Sequence, residues 1–77
     1  MSRAPRLNGS ELAALLLKAG FNLIRIRGSH HFLRHVDGRA TVVPIHGNEI
    51  LGPGLLRKIL RDCQMSVDDL DNLRHGR

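Results

Sequence analysis

The stretch Gly28-Ser29-His30-His31-Phe32-Leu33-Arg34-His35 decides the fold of this 77-residue chain. An apolar run rich in β-branched residues lies on each side of it, at positions 21–26 and 41–45. Three such runs separated by turn signals predict three consecutive antiparallel strands. Because three of the five histidines fall within the middle strand and its end, we expect any chemistry of the protein to be located there.

Two short turns predict which side chains share a face of this sheet. Gly28-Ser29, with glycine first, is typical of a two-residue type II′ loop and would pair Arg27 with His30. Asp37-Gly38 is typical of a type I′ loop and would pair Leu33 with Val42. Directly paired residues share a face. One face then holds Ile24, Ile26, His31, Leu33, His35, Ala40 and Val42. The other face, expected to stay open, holds Arg25, Arg27, His30, Phe32, Arg34, Thr41 and Val43.

Helical spacing of apolar residues predicts one helix before the strands and one after them. Ser10 is expected to cap the first helix, and Gly20 is expected to end it. Pro53 suits the first position of the second helix. Since each helix carries one apolar stripe, both should pack on the same face of the sheet.

The two ends of the chain add little to this plan. Residues 1–9 show no periodicity and are expected to form a flexible head, and residues 74–77 are expected to be frayed. A capping-box pattern at Ser66 and Asp69 allows a short third helix. We therefore expect one domain over residues 1–77, of the α+β class, with helix–strand–strand–strand–helix order and a three-stranded antiparallel sheet.

Composition limits the kind of partner and the compartment. Twelve Lys and Arg against seven Asp and Glu give a net charge of +5, which favours an anionic partner such as nucleic acid, although a merely soluble basic domain would have the same charge. Cys63 is the only cysteine, which excludes an intramolecular disulfide and a cysteine-based zinc cluster and fits a cytoplasmic protein. The longest apolar run, residues 12–17, is too short to span a membrane.

Several motifs, in one order and spacing, make the chain resemble a known family. They are Ala19-Gly20-Phe21, Gly28-Ser29-His30, His35-x-Asp37-Gly38, Val43-Pro44-x-His46-Gly47-Asn48 and Pro53-Gly54-x-Leu56-Arg57-x-Ile59-Leu60. The chain is similar to the HicA toxins, small ribonucleases of prokaryotic toxin–antitoxin pairs. The resemblance implies a fold like that of double-stranded-RNA-binding domains, cleavage of messenger RNA, and neutralisation by a HicB-type antitoxin. It also implies that His30 is catalytic. The extended head and the 65–77 tail depart from the family pattern.

The chemistry of RNA makes a histidine sufficient for cleavage without a metal or cofactor. The 2′-hydroxyl is an internal nucleophile, and an imidazole, with an ordinary pKa of about 6.5, can accept or donate a proton near neutrality. Whether His30 acts as base, acid or both stays open. Cationic and hydroxyl side chains would hold the phosphates. The candidate RNA-binding residues are Arg25, Arg27, Ser29, Arg34, Arg57 and Lys58.

Other interpretations remain open on the same residues. A non-catalytic double-stranded-RNA-binding module would need only the basic surface. A metal site built on His31 and His35 is disfavoured, because the two lie too far apart on a straight strand, and we expect both at the edge of the core. Phe32 and Val43 would either stack bases or receive the antitoxin. Two further histidines lie outside the strands: His46, in a loop, is ambiguous, and His75, in the tail, is expected to be inert.

Overall fold

The computed structural model describes residues 5–76 and has the predicted order of elements. The elements are α1 (Gly9–Lys18), β1 (Asn22–Arg27), β2 (His30–Arg34), β3 (Ala40–Pro44), α2 (Pro53–Asp62) and α3 (Val67–Arg74). The strands form one antiparallel sheet in the order β1-β2-β3. The α+β class and the short third helix are thus confirmed. In the described part of the chain, no helix is long and apolar enough to cross a membrane.

Helix α1 begins earlier than the sequence suggested. Asn8, not Ser10, is the N-cap, because its side chain accepts a hydrogen bond of 2.8 Å from the backbone N–H of Glu11. The Glu11 carboxylate accepts in return from the backbone N–H of Asn8, which completes a capping box. Leu7 is buried in the core, and its carbonyl accepts from the N–H of Leu51. Residues 7–9 therefore belong to the fold, and the prediction that they form part of a flexible head is wrong. Residues 1–4 of the predicted head lie outside the described residues.

The first hairpin has the predicted register over its first three pairs. Arg27 pairs with His30, and Gly28 has the positive φ of +59° that a glycine-first two-residue loop requires. Further along, a β-bulge between Leu23 and Arg25 removes Ile24 from the ladder, so Leu33 pairs with Leu23 instead. The predicted pairing of Ile24 with Leu33 is therefore wrong.

The second hairpin differs from the prediction by one residue. Its loop has three residues, Val36, Asp37 and Gly38, because the N–H of His35 donates to the carbonyl of Arg39 at 2.8 Å. Within the described chain only Gln64 among non-glycine residues has a positive φ, so Asp37 does not have the conformation of a type I′ loop. Its carboxylate instead accepts from the backbone N–H and the Nε of Arg39, which stabilises the longer loop.

The shifted loop reverses the faces of β3. Leu33 pairs with Thr41 and Phe32 pairs with Val42. The covered face of the sheet consists of Leu23, Ile26, His31, Leu33, His35, Thr41 and Val43. The open face consists of Arg25, Arg27, His30, Phe32, Arg34, Ala40, Val42 and Pro44. Burial agrees with this division in β3, where Val43 is fully buried and Thr41 is 5% exposed. Strand β1 is exposed throughout, and its covered-face residues Leu23 and Ile26 are 45% and 55% exposed. The predicted positions of Ala40, Thr41, Val42 and Val43 are corrected accordingly.

The three helices bury the covered face in one core. Its largest buried side chains come from every helix and from the sheet, and they are Leu7, Leu12, Leu16, Phe21, Leu33, Leu56, Ile59 and Leu70. Helix α3 packs against α1, where Leu70 is fully buried and Lys18 Nζ donates to the Leu73 carbonyl at 3.3 Å. The carbonyl of Cys63, just after α2, accepts from Arg39 Nη1. Within residues 5–76, this packing leaves the opposite side of the sheet uncovered by any helix.

Candidate active site on the open face

His30 lies at the start of the central strand, where the first hairpin turn delivers it to the open face. Arg27 of β1 pairs with it on one side and Pro44 of β3 on the other. The residue is exposed, and no hydrogen bond joins its imidazole to another group within residues 5–76. Both ring nitrogens of His30 are therefore accessible to a ligand that approaches the open face.

Two arginines of β1 lie beside His30, whereas the arginine of β2 lies at the far end of that strand. Arg27 is its direct partner, at a Cα separation on the order of 5.5 Å for a hydrogen-bonded pair. Arg25 is paired with the next residue on the same face, Phe32, and its guanidinium carbon lies 5.4 Å from that ring centroid. Arg34 is four residues from His30 along β2, roughly 13 Å at the rise of a strand. Arg25, Arg27 and Arg34 thus share a face with His30, as predicted, but Arg34 is the most distant of the three.

The electrostatic character of the open face follows from the strand sequences. The three strands carry Arg25, Arg27 and Arg34, and they contain no Asp or Glu. A phosphate on this face would therefore meet several cations and no carboxylate from the strands. Such an arrangement favours a polyanion.

Ser29 and His31 hold the turn in place beneath His30. The carbonyl of Ser29 accepts from the N–H of Ile45 at 2.8 Å, and it also lies 3.1 Å from Nδ1 of His31. Because a carbonyl can only accept, Nδ1 of His31 carries the proton in this contact. His31 is half-buried on the covered face, which is where the sequence placed it. Ser29 thus lies next to His30 in the chain, and its backbone is used to fix the turn.

The two predicted site residues on α2 lie away from the strands that carry His30. Helix α2 packs on the covered side of the sheet, and both Arg57 and Lys58 are exposed there. Lys58 Nζ donates to Asp62 at 2.9 Å, and Thr41 Oγ1 donates to the same carboxylate oxygen. These two hydrogen bonds hold the pKa of Asp62 below its ordinary value, and the bond from Lys58 has the larger effect. The structure therefore does not bring Arg57 and Lys58 together with Arg25, Arg27 and His30.

His35 and Cys63 take part in packing rather than in the open face. The His35 ring meets Phe21 edge-on, with 5.3 Å between centroids, and its Nδ1 lies 3.2 Å from a carboxylate oxygen of Asp37. Hydrogen bonds from the backbone N–H and the guanidinium of Arg39 lower the pKa of Asp37. Burial raises the pKa of the Cys63 thiol to about 11, so this thiol is protonated at neutral pH and is a poor nucleophile.

An apolar patch adjoins the arginines on the open face. Ile24, released from the ladder by the bulge, is 53% exposed and lines a hollow together with Phe32 and Val42. Asp62 of α2 also lines this hollow, on the side of β3. The sequence analysis placed Val43 beside Phe32, but Val43 is buried on the covered face and Val42 takes its position. The signal that separates the two valines is the loop length of the second hairpin, which the residues Asp37-Gly38 alone do not determine.

Comparisons with known proteins agree with the resemblance found in the sequence. A family model described as "HicA toxin of bacterial toxin-antitoxin" matches residues 9–65, which span α1 through the end of α2 and all three strands. A comparison with curated proteins finds no match. Helix α3 lies beyond the matched residues. Within residues 5–76, no group of three His, Cys, Asp or Glu side chains is arranged to hold a metal ion.

Proposed function

The chain belongs to the HicA toxin family of bacterial toxin–antitoxin systems, and from this premise we propose that it is an endoribonuclease that cleaves messenger RNA. The observation that carries the proposal is the position of His30. It is an exposed imidazole without a hydrogen-bond partner in the described chain, and it is paired with Arg27 on a face that no helix covers. We propose His30 as the catalytic residue.

The proposed reaction is attack of a ribose 2′-hydroxyl on the adjacent phosphorus. His30 transfers a proton in this step, as an imidazole does well near neutral pH. Arg27 and Arg25 hold the phosphate and stabilise the negative charge that develops on its oxygens. The reaction needs no metal ion and no cofactor, because the nucleophile is part of the substrate. Arg34 is proposed to contact the RNA further along the same face, and Ser29 to contact it at the hairpin turn beside His30. Arg57 and Lys58 are proposed to contact a second part of a long RNA.

A HicB-type antitoxin is the protein partner that we propose for the open face. The exposed apolar side chain of Ile24, together with half-buried Phe32 and Val42, lies among arginines there, a combination that suits a partner with apolar and acidic residues. Such a partner would cover His30 and block the access of RNA by steric exclusion. The toxin and its substrate would then meet in the cytoplasm whenever the antitoxin is lost.

The test compares two adjacent histidines that lie on opposite faces. Cleavage of a transcribed messenger RNA is measured for the wild type, His30→Ala and His31→Ala, together with the melting temperature of each. We expect His30→Ala to lose at least about a hundredfold in rate with little change in melting temperature, because it removes an exposed proton-transfer group. His31→Ala should lower the melting temperature and retain much of the activity, since it removes a half-buried hydrogen bond to Ser29.

Three results would contradict the proposal in different ways. An active His30→Ala beside a stable, inactive His31→Ala would move the catalytic role to the covered face. Tight RNA binding by the wild type without cleavage would favour the non-catalytic RNA-binding module. Loss of all cleavage in EDTA, with recovery on addition of a divalent ion, would replace the metal-independent mechanism.

A further inference from the structure

A second imidazole lies on the open face near His30, in the loop that follows β3. The N–H of Ile45 donates to the carbonyl of Ser29, which continues the β2–β3 ladder one residue beyond Pro44. In the register of that ladder, His30 faces Pro44 and Ser29 faces Ile45. Strand β3 ends at Pro44, and the same register continued by one more position would bring His46 level with Gly28. His46 therefore lies beside the first hairpin turn.

The alternation of side chains assigns His46 to a face. Val43 is fully buried on the covered face, and Pro44 follows on the open face. Ile45 returns to the covered side, since it packs against the core and a Cβ added at Gly9 would lie 3.0 Å from its Cγ1. The next residue, His46, then belongs to the open face, on the same side of the sheet as His30.

The surroundings of His46 leave its imidazole available. The residue is exposed, and its backbone carbonyl accepts from the N–H of Glu49 to close a turn. Within the described residues, its ring has no hydrogen bond. His46 is two residues beyond Pro44, the partner of His30, and on a continued strand this diagonal position would lie about 7–8 Å from His30. The charged groups closest to it in the register are Arg27 on the hairpin and Glu49 in its own turn.

We propose that His46 is a second catalytic residue, paired with His30 across the scissile phosphate. This inference rests on the proposed ribonuclease function. One imidazole accepts the proton of the 2′-hydroxyl as the bond from the 2′-oxygen to phosphorus forms. The other donates a proton to the 5′-oxygen as its bond to phosphorus breaks. The products are a 2′,3′-cyclic phosphate and a 5′-hydroxyl, and the pair ends with its protons exchanged.

Geometry favours this pair over the other histidines. The attacking and leaving oxygens lie on opposite sides of the phosphorus, so two groups that share a face and are separated by one residue pair can reach both of them. His31 is next to His30 in the chain but points to the covered face, where it hydrogen-bonds to Ser29. His35 lies on the covered face against Phe21.

The first experiment measures the pH dependence of kcat/KM on ordinary RNA for the wild type, His46→Ala, His46→Asn and the control His75→Ala. An acid and a base acting together give a bell-shaped profile for the wild type. Both His46 variants should lose at least about fiftyfold in kcat with little change in KM, and each should lose one limb of the bell. His75→Ala, which alters an exposed histidine at the end of α3, should behave as the wild type.

The second experiment uses an RNA in which sulfur replaces the bridging 5′-oxygen at the cleavage site. A thiolate leaves without protonation, so the variant that lacks the acid recovers on this substrate while the variant that lacks the base does not. We expect recovery of one of the two variants, His30→Ala or His46→Ala, and not of the other. Recovery of neither, or of both, would overturn the assignment of a pair.

The two experiments separate the inference from the function on which it rests. If the wild type and His46→Ala cleave RNA equally while His30→Ala is inactive, His46 has no catalytic role and the proposed function stands. If His46→Ala changes only KM, the residue binds RNA and does not transfer a proton, which also overturns the inference. Absence of cleavage by the wild type would overturn both proposals.

Discussion

Gly20 shows how a single residue can be required for two independent reasons. It follows the end of α1 with φ of +100°, a conformation that side chains with a Cβ rarely adopt. A Cβ at this position would also lie 2.9 Å from Nε2 of His35. The His35 ring cannot retreat easily, because Phe21 packs against it and Asp37 lies beside its Nδ1. The glycine therefore permits both the turn into β1 and the position of the histidine.

We expect Gly20→Ala to destabilise the protein by roughly 1–3 kcal/mol, from backbone strain and the displaced imidazole together. Gly54→Ala is the matched control, because Gly54 lies in the first turn of α2 with nothing within 4 Å of an added Cβ. Alanine is favoured over glycine in a helix by up to about 1 kcal/mol, so this variant should be equally or more stable. Urea denaturation measures both. Equal effects of the two substitutions would contradict the explanation given for Gly20.

At the scale of secondary-structure elements, the two hairpins explain what the sequence could predict and what it could not. The first loop has glycine first and few alternatives, so the pairs next to the turn were predicted correctly. Asp37-Gly38 is compatible with loops of two or three residues. The choice depends on Arg39, whose guanidinium contacts the Asp37 carboxylate, the Cys63 carbonyl and the face of the Phe21 ring. The contacts with Cys63 and Phe21 join distant parts of the chain and leave no local pattern.

The candidate site shows the same division. The positions of His30 and His31 on opposite faces followed from the first hairpin alone. The distance of Arg34 from His30 did not follow from the predicted faces, because a shared face does not imply proximity along a strand. His46 was ambiguous in the sequence, since its place depends on how far the β2–β3 ladder extends past Pro44.

Helix α3 is an element whose contribution can be measured separately. It lies beyond the residues that match the family, yet Leu70 is fully buried in the common core. We expect Leu70→Ala to destabilise the protein by about 2–4 kcal/mol, as large-to-small substitutions in a core do. Asn72→Ala, an exposed position on the same helix, should change stability by less than about 0.5 kcal/mol. A stable Leu70→Ala variant would mean that α3 is only loosely attached to the rest of the domain.

At the scale of the whole molecule, the charges are unevenly distributed. Three of the seven acidic residues, Asp68, Asp69 and Asp71, lie on α3, which packs against α1 on the helical side. The strands carry three arginines and no carboxylate. The protein therefore presents a basic sheet on one side, whereas on the helical side the acidic α3 lies with the basic α2, which carries Arg57, Lys58 and Arg61. Among these surfaces the strands offer a polyanion positive charge without carboxylates.

RNA affinity should accordingly fall with salt, and the fall should depend on the sheet. Each neutralised phosphate of a single strand contributes about −0.7 to the slope of log affinity against log salt concentration. The measurement uses the His30→Ala variant, which should not cleave the RNA. In that variant we expect Arg27→Ala to reduce the magnitude of the slope by about 0.7, the contribution of one phosphate contact. Arg74→Ala, at the end of α3, should leave it unchanged. Filter binding measures the RNA affinity of each variant at salt concentrations from about 50 to about 300 mM, a range that includes physiological ionic strength. A flat dependence, or an equal effect of both substitutions, would contradict RNA binding by the open face.

The three-residue loop between β2 and β3 also has a consequence for changes in chain length. Val36 is 90% exposed, and the strands on either side are held in register by His35 and Arg39. The loop is therefore one residue longer than the two-residue connection that a tight hairpin needs. Removal of Val36 would leave Asp37-Gly38 as a two-residue connection between the same paired strands. Removal of one residue inside β3 would instead move every following side chain of that strand to the opposite face of the sheet. Deletion of Val36 should therefore shorten this hairpin at its tip and leave the pairing of the sheet unchanged.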